Sequence, residues 1–101
     1  MIEIFQGSEF SFPIEILNYD GSGKVLTEFT IKAGIRFQGE TILIKECAIE
    51  DVGLISLPLL PEDTAVIGIY VVEIRLEKTG YNEPWGQFSY EIIESIILQG
   101  S

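Results

Sequence analysis

Histidine is absent from this chain and cysteine occurs once, at Cys47. A Ser-His or Cys-His nucleophile pair, an imidazole pH switch, a thiolate and imidazole zinc site and an intrachain disulfide are therefore excluded within it. Cys47 reads as a small buried hydrophobe, because a cysteine nucleophile would lack its usual base. Basic residues are scarce too, six against sixteen acids, for a formal net charge of −10. Such a field repels phosphate backbones and anionic head groups, and Lys24, Lys32, Arg36, Lys45, Arg75 and Lys78 are scattered without interleaved aromatics, so no nucleic-acid partner is expected. Long apolar runs are missing as well. The longest, A-V-I-G-I-Y-V-V at 65–72, falls far short of the ~20 residues that span a bilayer, and M-I-E-I-F has an acid where a signal peptide starts basic. The expectation is a protein without membrane partner or signal peptide, made in a cytoplasm.

What is present is alternation. With 101 residues the chain suits one domain, and folding should remove roughly 65% of the unfolded chain's accessible surface, enough for stability without staples. Period-two patterning dominates and helical spacing is nearly absent. In E-F-S-F-P-I-E-I, Phe10, Phe12, Ile14 and Ile16 share one face, and Pro13, which lacks an amide donor, puts that strand at a sheet edge or a bulge. Ile31, Ala33, Ile35 and Phe37 share a face of the next strand; Gln38-Gly39-Glu40 turns the chain into a hairpin partner with Ile42 and Ile44 on one face. Asp20-Gly21 supplies the positive backbone angles of a hairpin turn. The strongest strand points Tyr70, Val72, Ile74 and Leu76 inward; T-G-Y-N-E-P-W reads as the next loop, and Phe88, Tyr90 and Ile92 return inward. About seven antiparallel strands at this spacing predict an all-β sandwich, with a small barrel as the alternative.

The candidate chemistry is sparse. Glu62 and Asp63 are adjacent, so they face no common point as an acid and base pair; Pro61 instead starts one helical turn with the acids at its positive end and Thr64 closing it. Asp20 and the pair Glu50-Asp51 lack the further carboxylates of a calcium loop. No phosphate-binding glycine loop, nucleophile elbow or metalloprotease motif is present. No catalytic, metal or cofactor site is expected, and the protein reads as a non-enzyme. Two segments are candidates for binding. Tyr81, Asn82 and Trp85 place two aromatics and an amide where they could stack a sugar and bond its hydroxyls, as in a carbohydrate-binding or adhesin module, although Trp85 could instead cover one end of the core. Ile96, Ile97 and Leu98 break the alternation and make 94–101 a candidate assembly tail contacting another subunit, or a last strand covered by its own domain. A third reading is an inhibitor whose acidic surface docks on a basic enzyme.

P-E-D-T-A-V at 61–66 echoes the approach to the second cysteine strand of antibody variable domains. The corner tyrosine and cysteine of that family would fall at Ile67 and Ile69, and Trp85 follows the strongest strand where the family needs a tryptophan before it, so the echo reads as a shared turn solution and not as antibody-type ancestry. A longer match runs through G-S-E-F-S-F-P-I-E-I, D-G-S-G-K-V-L-T-E-F-T-I-K-A-G-I-R, L-P-L-L-P-E-D-T-A, G-I-Y-V-V-E-I-R and W-G-Q-F-S-Y-E-I, across residues 7–93. In that order the motifs resemble small immunoglobulin-like domains of bacteriophage virion proteins, the amino-terminal domain of phage baseplate upper proteins among them. The resemblance implies a single immunoglobulin-like sandwich and a structural role in a virion, as capsid decoration, head fibre or tail or baseplate component. It also implies partners among other virion proteins and copies of itself, in a homo-oligomer, and a place in the virion after synthesis in the bacterial cytoplasm.

Overall fold

The computed structural model describes residues 1–96. Among them, eight strands form: β1 (Ile2–Phe5), β2 (Phe10–Glu15), β3 (Thr30–Phe37), β4 (Glu40–Glu46), β5 (Ala48–Asp51), β6 (Leu54–Leu59), β7 (Gly68–Lys78) and β8 (Tyr81–Ile93). A single 3₁₀ turn, Pro61–Thr64, precedes β7. The strands make two sheets, one of five in the order β1-β8-β7-β3-β4 and one of three in the order β2-β6-β5. The chain is thus all-β and sandwich-like, with no barrel closure. Antiparallel pairing holds throughout except at the edge, where β1 runs parallel to β8. The first and last strands meet there, and strands so distant in sequence need no tight hairpin to join them.

The faces follow the alternation. Ile31, Ala33 and Ile35 of β3, Tyr70, Val72, Ile74 and Leu76 of β7, and Tyr90 and Ile92 of β8 are buried against Phe12 of β2 and Ile55, Leu57 and Leu59 of β6. Pro13 lies on β2 at the edge of the smaller sheet, where a missing donor costs least. Gln38 and Gly39, with φ of 53° and 83°, close the β3–β4 hairpin. Ile42 and Ile44 share one face of β4, and it is the exposed one, because the register sets Leu43 opposite Ile35 and Lys45 opposite Ala33, which turns Leu43 and Lys45 inward. Two local expectations are corrected. At 18–23 the chain reverses as a hairpin turn would, with an antiparallel bridge between Leu17 and Gly23 inside the crossover between sheets, but only Gly21 takes a positive φ; Asp20 instead closes an Asx turn, its Oδ1 accepting the Ser22 amide at 3.0 Å. The 79–85 loop shrinks to Thr79-Gly80, with Tyr81, Asn82 and Trp85 already on β8.

Aromatic rings link the two sheets. Phe37 stacks on Tyr70 (centroids 4.6 Å apart) and Tyr70 on Tyr90 (5.2 Å), and Tyr90 in turn packs against Phe12 (5.2 Å). Gly68 makes the first contact possible: at φ 150° its missing Cβ would collide with the Phe37 ring. The two buried tyrosines differ at their hydroxyls. Tyr70 Oη donates to the Val66 carbonyl at 2.5 Å, four residues upstream, whereas the buried Tyr90 hydroxyl has no partner among the described residues. Burial pushes the Tyr90 hydroxyl far above its usual range, with Tyr70 and Asp63 adding to the shift.

Tyr70→Phe should therefore destabilise the protein by about 1 kcal/mol. Tyr90→Phe should leave it unchanged or stabilise it by about 1 kcal/mol, since an unpaired buried hydroxyl is removed. Urea midpoints at constant slope will check both, and a loss on Tyr90→Phe as large as that on Tyr70→Phe would contradict this account.

Candidate functional site

The long β7–β8 hairpin carries Tyr81 and Trp85 to one end of the larger sheet, where the 16–29 crossover folds over them. Between them lies a cleft of about 230 Å³ lined by Leu17, Asn18, Tyr19, Lys24, Leu76, Tyr81, Glu83, Pro84 and Trp85. Ile74 pairs with Gly86 and Arg75 with Pro84, so Trp85 is the extra residue of a β-bulge, the device that re-aims side chains at sheet rims. It remains 42% exposed, and Tyr19 is wholly exposed. Tyr81 packs edge-on against Phe29 with Lys78 above both rings, and its hydroxyl donates to the Glu83 carboxylate, a bond that raises its pKa together with slight burial and the Glu83 charge.

Asn82 does not join this cleft. Strand alternation sends it to the opposite face, where it accepts from Arg75 Nη1 (2.9 Å) and donates to Glu77 (3.3 Å). The amide that does line the cleft is Asn18, from the crossover, and its NH₂ is held by Ser22 Oγ and the Gly23 carbonyl. Sequence spacing alone could not join Asn18 to Trp85. The crossover itself is fixed by glycines: Gly53 of the β5–β6 turn lies against Gly23 so closely that a Cβ on Gly53 would meet Gly23 Cα.

Asp63 lies on the single turn expected from Pro61, and its carboxylate is committed to structure. It accepts the Leu60 amide at 2.8 Å and pairs with Lys45, which reaches in from β4 and also donates to the Pro58 carbonyl at 2.9 Å. Burial alone would raise the Asp63 pKa; the Lys45 hydrogen bond, the Leu60 amide and the Lys45 charge together outweigh it and hold the carboxyl below its usual range. Glu62 beside it is exposed. Thr64 closes the turn, donating to the Ser8 carbonyl at 2.7 Å and so tying it to the β1–β2 connection. Cys47 is buried, and burial together with Glu46 raises its thiol to about 11.

At the chain's carboxyl side Ile96 is 85% exposed and lines a hollow with Phe5, Ser8, Glu94 and Ser95; Ile97 and Leu98 lie outside the described residues. Among the described residues no group of three or more acidic or thiol side chains is placed to hold a metal ion. No helix among them is long and apolar enough to cross a membrane. No protein-family model matches the chain, and no curated protein matches it.

Lys45→Met should cost about 3 kcal/mol, because it strands the Asp63 carboxylate in a largely buried site. The pH dependence follows from the depressed Asp63 pKa. Its contribution is complete above the unfolded carboxylate range and is lost as pH falls through the lower folded value. Chemical denaturation between neutral and strongly acid pH should show a smaller acid-linked loss in Lys45→Met than in the parent; equal slopes would exclude this pair as their source.

Proposed function

We propose that the protein is a non-enzymatic assembly module, an immunoglobulin-like sandwich serving as a bacteriophage virion structural protein. The observation that carries the fold part is the strand order. With β2 to β8 lettered B, C, C′, D, E, F and G, the small sheet reads B-E-D and the large one G-F-C-C′, the pairing of variable-type immunoglobulin domains. The bond from Tyr70 to Val66 supports it further. A tyrosine near the start of strand F that bonds back to the preceding corner is a mark of that fold, and Val72, two residues on and buried, occupies the place of the second cysteine. The P-E-D-T-A-V echo then fits with a shift of three residues, Tyr70 standing where direct alignment puts Ile67. The virion role rests on the motif resemblance across residues 7–93, and exposed sheet faces and edges offer the means of assembly.

The flanking genes should encode capsid or tail components, and the chain should co-sediment with particles assembled from them. Flanking genes for sugar utilisation, with the chain left in the soluble fraction, would sink this proposal.

One observation favours a carbohydrate-binding or adhesin role instead: Trp85 is half-exposed and shares its cleft with Tyr19 and Asn18. On that reading a glycan array gives binding that Trp85→Ala abolishes while the circular dichroism spectrum is unchanged; an array with no hit removes it.

A further inference from the structure

Two hollows meet at the end of the molecule that carries Trp85. Beside the cleft of Trp85 and Tyr19 lies a second hollow of about 420 Å³, lined in part by Thr27, Glu28, Phe29 and Lys78. Asn18 and Lys24 line both, so the two share a wall. One ring stands on each side of it, Tyr81 in the cleft and Phe29 in the hollow, edge-on with centroids 5.6 Å apart. Two ammonium groups lie over these rings: Lys24 Nζ is 5.5 Å from the centre of Phe29, and Lys78 Nζ is 4.8 Å from Phe29 and 5.7 Å from Tyr81.

Lys24 is the cation at this end without an acid. Lys32, Lys45, Arg75 and Lys78 pair with Glu77, Asp63, Glu73 and Glu28 in turn, whereas the half-buried Lys24 makes no side-chain hydrogen bond or ion pair among the described residues. Arg36, which also lacks an ion pair, lies on β3 and lines neither hollow. The backbone of Lys24 is pinned at both polar groups, its amide donating to the Ile16 carbonyl and its carbonyl accepting the Gly53 amide, each at 2.9 Å. Nearby acids are occupied: Glu83 accepts from the Tyr81 hydroxyl, and Asp20 from the amide and hydroxyl of Ser22. The pair between Lys78 and Glu28 is loose, 3.7 Å long with the Glu28 side chain 80% exposed, so it is readily exchanged for another carboxylate. The shared wall adds neutral groups. The Asn18 NH₂ is held by Ser22 and Gly23, which leaves its Oδ1 to accept from a ligand hydroxyl, and the Thr27 hydroxyl has no partner among the described residues.

An aromatic plate next to an uncompensated ammonium fits a sugar that carries a carboxylate. The ring stacks on Trp85, and charge-assisted hydrogen bonds at the wall hold the acid. A net charge of −10 works against any anion, but beyond about 8 Å it is largely screened at physiological ionic strength, which leaves the groups at the wall to decide. We propose that the cleft and the hollow form one site for an acidic glycan, with one sugar ring against Trp85 and Tyr19 and the carboxylate of a uronic or sialic acid unit at Lys24 and Lys78. This rests on the carbohydrate-binding reading of the cleft and adds to it the charge of the ligand.

Titration calorimetry at physiological ionic strength, with tetragalacturonate against its full methyl ester and sialyllactose against lactose, should show one acidic probe binding at least about tenfold more tightly than its neutral counterpart. Which acidic probe does so distinguishes a uronic from a sialic acid ligand. Lys24→Gln should remove the preference while leaving the neutral counterpart's affinity and the melting temperature unchanged; Lys24→Arg should keep it and Lys78→Gln reduce it. Lys32→Gln makes the same change in net charge away from both hollows and should have no effect. Acidic probes that fail to bind, or bind no better than the neutral ones, overturn the proposal and leave the sugar reading to the glycan array, where an absence of hits removes it too. A preference that survives both Lys24→Gln and Lys78→Gln, or falls as far on Lys32→Gln, also overturns the proposal.

Discussion

Tyr70 fixes the relation between the two sheets. Its ring lies between Phe37 of its own sheet and Tyr90, whose far side reaches Phe12 of the other sheet, while its hydroxyl holds the chain that enters β7. Ile74 and Leu76 continue the same face from there, so the registers with β3 and β8 inherit their phase from this one residue. A slip of one residue in β7 would carry that whole face out to solvent. Gly68 belongs to the same constraint, since any side chain there would displace Phe37.

The core was legible in the sequence because it rests on period two. Ile31 to Phe37, Tyr70 to Leu76 and Phe88 to Ile92 point where alternation sends them. Alternation misled where a bulge or an ion pair intervened. On β4 the isoleucines look like the buried set, yet Lys45 goes inward, because the Asp63 carboxylate from a distant turn is there to receive it. No local pattern announces a partner eighteen residues away in sequence.

The candidate cleft was half legible for a related reason. Two aromatics and an amide within five residues look like one cluster on a loop. On a strand the amide is turned to the other face, and the cleft takes Asn18 and Tyr19 from a crossover that only the tertiary fold brings near. The bond from the Tyr70 hydroxyl back to Val66 was hidden in a different way, since alternation marks Tyr70 as buried without saying where its hydroxyl goes.

The β-bulge at Trp85 has a spectroscopic consequence. The chain's one tryptophan is set at the rim of the cleft, already 42% exposed in the native state, while Tyr70 and Tyr90 are enclosed in the core. Intrinsic tryptophan emission will therefore follow events at that end of the molecule, such as a ligand entering between Tyr19 and Trp85. The loosening of the core will be read in the near-ultraviolet signal of the stacked tyrosines, so that one sample carries two separate optical reporters.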